Sequence, residues 1–389
     1  KYFDNPELKK CVIVLAFLPW IRILSSSFNN IMVAEGKTKQ TAQFTLLRTV
    51  CSIGVLSIVW FRRISIVQLI YINFFVEALF CVLMVVLSIK VIGKITVFKW
   101  DKMLIKKIFT FSLPLGVAGI VGILSIETGR LFVSYFLSTS ELALYTNASR
   151  ELPINFISSA FVAVLMPQIV YLVHKSDYKR VIELWGYVVE LSFIIIAFGT
   201  SVLIVLSREI ILLLYSSKYI DGQPVFIVYA ILILARVTYF GIVLNAKGRT
   251  NLIFYSSLAT LILNVLLNYI FYKIVGMVGL AISALISTAA MVVFQLSATA
   301  KELETTFAKV FPWDRLSKIA IVNVIFGIVV FFLHRLLGIE HLEKSIEIAV
   351  CIGSAWLLIY GLFMYKRVRI IIYCINKTQI NLQKGEVNA

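Results

Sequence analysis

The chain has 389 residues, of which 60% are hydrophobic and 15% charged, and its formal net charge is +17. Roughly a quarter of an average soluble chain is charged, so a soluble globule is excluded: it could not hide this much apolar surface. The basic residues are spread over short loops, which sets nucleic acid aside as a partner and points to loops facing anionic lipid.

Repeated apolar runs of about 20 residues predict an all-α, polytopic helical membrane protein, with none of the short alternating strands of a membrane barrel. Eleven membrane helices are expected, at 11–33, 42–61, 66–89, 109–137, 152–174, 184–207, 224–245, 250–272, 276–298, 316–334 and 345–365. The connections are too short for a soluble catalytic domain.

The first run follows two lysines and mimics a signal peptide over 9–27. Arg22 inside it, and its continuation to Val33, favour a membrane helix. It ends in the turn MVAEGKTK, residues 32–39, and the next helix carries Arg48 near its cytoplasmic side. Glu77 is central in the third helix. The fourth holds Pro114 and then Gly116, Gly119 and Gly122, which inside a membrane helix signal close packing or a bend. Further along it, Glu127 and Arg130 share a face one turn apart. Pro153 and Pro167 can bend the fifth helix, and Glu190 lies near the inner end of the sixth. Arg236 falls in the middle of the seventh, which leaves through LNAKGRTN, residues 244–251. Asn264 and Asn268 on the eighth suit an interhelical hydrogen bond.

The two turns are versions of one motif. At an offset of 212, residues 29–60 and 241–272 share Ala34/Ala246, Gly36/Gly248, Thr38/Thr250, Leu46/Leu258 and Ile58/Ile270. Helices one to three recur as seven to nine, a parallel repeat of the kind found in two-lobed transporters. Counterparts of helices four to six would precede Lys1, so three helices of the first copy are expected upstream, making about fourteen in all. The domains then read as an incomplete N-terminal lobe (1–95), a six-helix C-terminal lobe (96–300), an extra helix pair (301–365) and a cytoplasmic tail (366–389). With that tail inside, the inner segments hold 21 basic residues and the outer ones 11, as the positive-inside rule requires.

Intramembrane charges are the candidate functional residues, because each costs about 2.5–3.5 kcal/mol at a helix centre and so faces an interior or a wet cavity. Arg22 and Arg236 fall at similar depth in equivalent helices, since the offset sets Arg236 opposite Leu24. With Arg130 and Arg48 they suggest a cationic substrate-binding cavity between two helical bundles, suited to phosphate through the guanidinium fork. Glu127 and Glu77 are candidates for ion coupling or an ion pair. Plainer readings stand beside these: an internal ion pair for Glu127–Arg130, and snorkelling to the interface for Arg48 and Glu190. The five cysteines are scattered, and His174, His334 and His341 lie near membrane edges without metal-ligand spacing. No nucleophile–base constellation stands out, so an enzyme, a metal and a cofactor are not expected. Asn147-Ala-Ser spells a glycosylation sequon and nothing more.

The run FSLPLGVAGIVGILSIETGRLFVSYFLSTSELALYTNASREL (111–152) resembles the opening of the second half of bacterial polysaccharide flippases of the Wzx type. These belong to the multidrug/oligosaccharidyl-lipid/polysaccharide exporter (MATE-like) superfamily. LLLYSSKYIDGQPVFIVYAIL (212–232) is similar to that family's link within the C-terminal bundle, and residues 244–287 to its Gly-Arg turn, Asn-bearing helix and Gly-x-x-Gly-x-Ala segment. The resemblance implies a fourteen-helix, two-lobed, multi-pass protein of the bacterial inner membrane. It implies alternating-access transfer of undecaprenyl-pyrophosphate-linked oligosaccharide for O-antigen or other surface polysaccharide. A lipid-linked oligosaccharide substrate, membrane lipids, a polysaccharide polymerase and a chain-length regulator are the implied partners, with the protein itself a monomer. One position departs from the family: many relatives carry an acid just before the basic residue of the fourth helix, where this chain has Gly129 before Arg130. The alternatives are a multidrug cation antiporter of the same superfamily, which would want acids in its cavity, and a membrane enzyme of polysaccharide assembly, which would want a catalytic external loop.

Overall fold

The computed structural model describes residues 6–62, 65–92, 101–150, 155–338 and 345–387. The described residues are almost wholly helical and contain no strand. Ten helices are long and apolar enough to cross a membrane, and Ser158–His174 is a shorter apolar one. The protein is a multi-pass helical membrane protein. Its contacts divide it into two units, residues 1–101 and 102–389.

The first unit holds α1 (Pro6–Ala34), α2 (Thr38–Arg62) and α3 (Ile66–Ile92). α1 lies mainly against α3, and α2 packs more lightly on both. In α2 the hydroxyls of Thr41, Thr45, Thr49, Ser52 and Ser57 each donate to the carbonyl four residues back, at 2.9 Å. That satisfies side chains for which hydrocarbon offers no partner.

The second unit begins with α4 (Lys102–Phe136), α5 (Thr139–Ala148), α6 (Asn155–His174) and α7 (Tyr178–Val205). It continues through α8 (Ser207–Leu214), a 3-10 turn at Ser217–Gly222, α9 (Gln223–Ala235), α10 (Ile242–Ala246), α11 (Thr250–Val275) and α12 (Met277–Glu302). α13 (Phe307–Val310), α14 (Trp313–Leu336) and α15 (Ser345–Val387) complete it. α7 is the most buried span. Val181, Leu184, Trp185, Val188 and Val189 on it enter the main core with residues of α9 and α12. α14 and α15 both pack on α7, where Tyr360 donates to the Ile194 carbonyl at 3.0 Å and accepts from Asn323 Nδ2 at 3.0 Å. The expected interhelical bond of Asn264 forms, its Nδ2 donating to the Ser125 carbonyl on α4 at 3.1 Å. Beyond the helix's own backbone, no atom of the described residues lies within 4 Å of an added Cβ at Gly116, Gly119 or Gly122. Pro153, His341 and the 95/96 domain boundary lie outside the described residues.

The repeated motif is one piece of geometry used twice. Gly36 and Gly248 have φ of +72° and +73°, in the left-handed region that a residue without Cβ enters freely. The Lys37 and Arg249 amides reach back to the Met32 and Leu244 carbonyls, at 2.9 and 2.8 Å. Those of Gly36 and Gly248 reach Val33 and Asn245, at 3.0 and 2.9 Å. Both turns are therefore Schellman caps that close a helix with its last carbonyls satisfied. The helices they join end at Ala34 and Ala246 and restart at Thr38 and Thr250, at the same offset.

The repeat is not uniform. The helix expected over 224–245 is two pieces: α9 stops at Ala235 and α10 resumes at Ile242. Its counterpart α1 runs unbroken through 29 residues, although it contains Pro19. Tertiary bonds hold the break open: Ser158 Oγ donates to the Val237 carbonyl at 2.7 Å, and Thr238 Oγ1 accepts from Trp185 Nε1 at 3.4 Å. α15 is 43 residues long and continues well past 365, where the last membrane helix was expected to end.

Candidate functional site

In the first unit, three charges from three helices meet. Arg22 Nε on α1 donates to Glu77 Oε1 on α3 at 3.2 Å, and Arg48 Nη2 on α2 donates to Glu77 Oε2. Each guanidinium takes one carboxylate oxygen, so Glu77 ties α1 and α2 to α3. The Glu77 side chain is 11% exposed, that of Arg48 33% and that of Arg22 52%. Arg22 and Arg48 are the central residues of the spans Cys11–Val33 and Thr38–Ile58, and Glu77 is near the middle of Val67–Ile92. Arg48, expected near the cytoplasmic side of its helix, pairs with a buried acid.

In the second unit, Glu127 and Arg130 form the expected ion pair across one helical turn, Arg130 Nη1 donating to Glu127 Oε1 at 2.7 Å. The same guanidinium donates through Nε to Ser149 Oγ at 3.1 Å and through Nη2 to the Ser149 carbonyl at 3.2 Å. Ser149 caps the C-terminus of α5, so Arg130 clamps that short helix to α4 and adds positive charge at its carbonyl end. Gly129 also has a structural cause. A Cβ there would stand 2.2 Å from the hydroxyl of Tyr145 on α5. That hydroxyl is 3.0 Å from the Tyr229 hydroxyl, and burial pushes the Tyr145 pKa well above the usual tyrosine range. The space beside position 129 is occupied by a tyrosine.

Arg236 is not mid-helix as expected. It is the C-cap of α9, at the break before α10, with φ −112° and ψ 29°. Arg22 and Arg236, two positions apart in the repeat alignment, therefore stand in different local structures.

The family described as polysaccharide biosynthesis protein matches residues 1–224. The chain belongs to this family. The matched stretch contains the Arg22–Glu77–Arg48 cluster and the Arg130 clamp and stops before Arg236. No curated protein sequence matches the chain at a significant level. Among solved structures it is similar to "Lipid II flippase MurJ, inward closed conformation", with a TM-score of 0.63 and 16% identity over 92% of this chain and 75% of that one. At that identity the likeness is one of fold.

Two further clusters escaped the sequence reading. Glu190 on α7 is 1% exposed, which overturns its reading as an interfacial snorkeller. Its Oε2 accepts from Arg315 Nη1 of α14 at 3.1 Å and its Oε1 from Arg367 Nε of α15 at 2.5 Å. Both arginines read in sequence as loop and tail charges. The buried His334 of α14 lies with Nε2 3.1 Å from Glu209 Oε1 of α8. The second Gly turn has its own anchor: Glu302, ending α12, takes Arg249 Nε at 2.9 Å and Lys247 Nζ at 3.5 Å, and Lys247 lies over the Tyr178 ring. No group of three or more His, Cys, Asp or Glu with metal-holding geometry occurs among the described residues.

Proposed function

We propose that this protein is a flippase carrying undecaprenyl-pyrophosphate-linked oligosaccharide units from the inner to the outer leaflet of the bacterial inner membrane, for surface polysaccharide synthesis, by alternating access. Its family and the fold it shares with a lipid II flippase support the reading. The single observation that carries it is the mid-span cluster of two arginines on one acid. Two guanidiniums against one carboxylate leave net positive charge at a depth where unpaired charge is strongly disfavoured. A diphosphate head entering the membrane loses hydration, and bidentate, charge-assisted donors replace it.

The geometry suits capture and release. Arg22 is half-exposed and meets Glu77 through its Nε, which leaves the Nη fork to a ligand. Glu77 competes with the head for both arginines, so neither holds the head irreversibly, and departure of the head is offset by re-pairing. In this reading Arg236, at a break in a membrane helix, is a further candidate phosphate-binding cation. The three bonds of Arg130 to Glu127 and Ser149 suit it to positioning.

The test is complementation of a flippase-deleted strain by the full-length gene. Arg22→Ala should lower surface polysaccharide at least about tenfold, the loss of one charged hydrogen-bond pair, with membrane levels near normal. Arg22→Lys should restore part of it, since charge survives and fork geometry does not. Full activity of Arg22→Ala at low expression would overturn the proposal.

A further inference from the structure

The second unit contains a pocket that the proposed transport does not use. Its volume is about 500 Å³. α7 contributes Phe193, α12 contributes Ala289 and Val293, and α14 contributes Ala320. The broken segment after α9 supplies Val237 and Phe240. The wall is almost entirely apolar; its ionisable side chain, Asp314, sits with Ser317 and Trp313 in the first turns of α14.

Three observations fix what such a pocket takes. Phe193, Ala289, Val293 and Ala320 all belong to candidate membrane spans, so the medium at the pocket is lipid. Val293 and Trp313 are 54% and 41% exposed, so the pocket is open at its side rather than sealed. Its polar end coincides with the start of the α14 span, where a tryptophan marks the membrane–water interface. An apolar slot with one polar, interfacial end fits an amphiphile with its chain inside and its headgroup at the rim. The volume falls in the range of about 300–1000 Å³ that encloses a ligand of drug size. That suits one saturated chain and is far short of a polyprenyl carrier.

Charge decides the headgroup. Asp314 is exposed at the mouth, and Lys318, also exposed, follows one turn later on the same face. A carboxylate at the mouth attracts an ammonium and opposes a diphosphate. We propose that the pocket binds an acyl chain of a resident phospholipid with a zwitterionic, ammonium-bearing headgroup, the ammonium at Asp314 and the phosphate toward Lys318. The site shares no residue with the Arg22–Glu77–Arg48 cluster and does not depend on the transport reading.

The experiment uses the full chain in nanodiscs doped with phospholipids that carry a photoactivatable group on the acyl chain, one with a phosphatidylethanolamine head and one with phosphatidylglycerol. Peptides containing 289–293 and 313–320 should be labelled by the ethanolamine lipid about fivefold more than by the glycerol lipid, the discrimination of one exposed ion pair. Asp314→Asn should equalise the two lipids without abolishing labelling. Ala289→Trp should abolish labelling by both, and Ala320→Phe, filling the slot from another helix, should do the same. Equal labelling of the wild type by the two lipids would overturn the headgroup assignment. Undiminished labelling in either filled variant that still folds would overturn the site. Asp314→Asn leaves the packed wall untouched and keeps the charge arm decisive if both filled variants misfold.

Discussion

Glu77 and Glu190 are the same device in two settings. Each is an acid on a membrane helix, bridged by one arginine from each of two other helices. Around Glu77 all three charges lie near the middle of their spans, and the three helices have little other buried surface. Around Glu190, Arg315 is in the first turn of α14, and the acid belongs to the most buried span. Arg315 is also confined: its Nη2 would stand 3.0 Å from a Cβ on Gly186, and its guanidinium lies 5.1 Å from the Tyr187 ring. The first cluster lies near the middle of its candidate spans, where the proposed function places a substrate; in the second a nearly inaccessible acid holds three helices together. Composition alone does not separate them. Position along the span and burial of the acid do.

The sharpest way to break this contrast is to strip Glu190 of both partners. Arg315→Ala with Arg367→Ala leaves a nearly inaccessible carboxylate uncompensated, and thermal unfolding in detergent should show a loss of about 3–5 kcal/mol. A loss under about 1 kcal/mol would mean that the staple reading fails. Glu77→Gln is expected to cost less, about 1–3 kcal/mol, because half-exposed Arg22 can rehydrate. Should the two losses prove equal, the clusters are not different in kind. Arg130→Ala should cost about 1–2 kcal/mol by releasing Ser149. Arg130→Lys should recover little, because one ammonium cannot span Glu127, Ser149 Oγ and the Ser149 carbonyl at once.

The smallest effect belongs to the exposed start of α5. There Ser138 and Glu141 form a reciprocal capping box, and hydrogen bonds from the Ser138 hydroxyl and amide hold the Glu141 carboxyl below its usual range. A depressed carboxylate adds stability above its unfolded pKa and loses it as pH falls through the folded one. Amide exchange in the first turn of α5 should therefore quicken on acidification, and Ser138→Ala should remove that pH dependence. Retention of the dependence in the variant would assign it to another group.

What was legible in the sequence was local. The Gly turns could be read because the positive φ at Gly36 and Gly248 is written in the residue itself. The Glu127–Arg130 pair could be read because one helical turn separates its members. The acid-centred clusters could not, because Arg22 is 55 positions from Glu77 and Arg367 is 177 from Glu190. A single sequence gives each charge a depth and no partner. The break after Ala235 was hidden for a related reason: no proline marks it, and the bonds that support it come from Ser158 and Trp185 on other helices. Gly129 looked like a simple departure from the family, and its cause lay on a neighbouring helix.

That last contact sets an order on change. With the Tyr145 hydroxyl 2.2 Å and its ring 3.0 Å from a Cβ at position 129, no side chain can be placed there unless the tyrosine shifts. Losing only the hydroxyl, as in Tyr145→Phe, leaves ring atoms 3.0 and 3.2 Å away, which a shift of a few tenths of an ångström relieves. An acid at position 129 therefore calls first for loss of the Tyr145 hydroxyl, through a state that has lost the Tyr145–Tyr229 bond. The reverse path, glycine first and tyrosine second, has no such blocked step. The pair works as a ratchet, easier to enter than to leave.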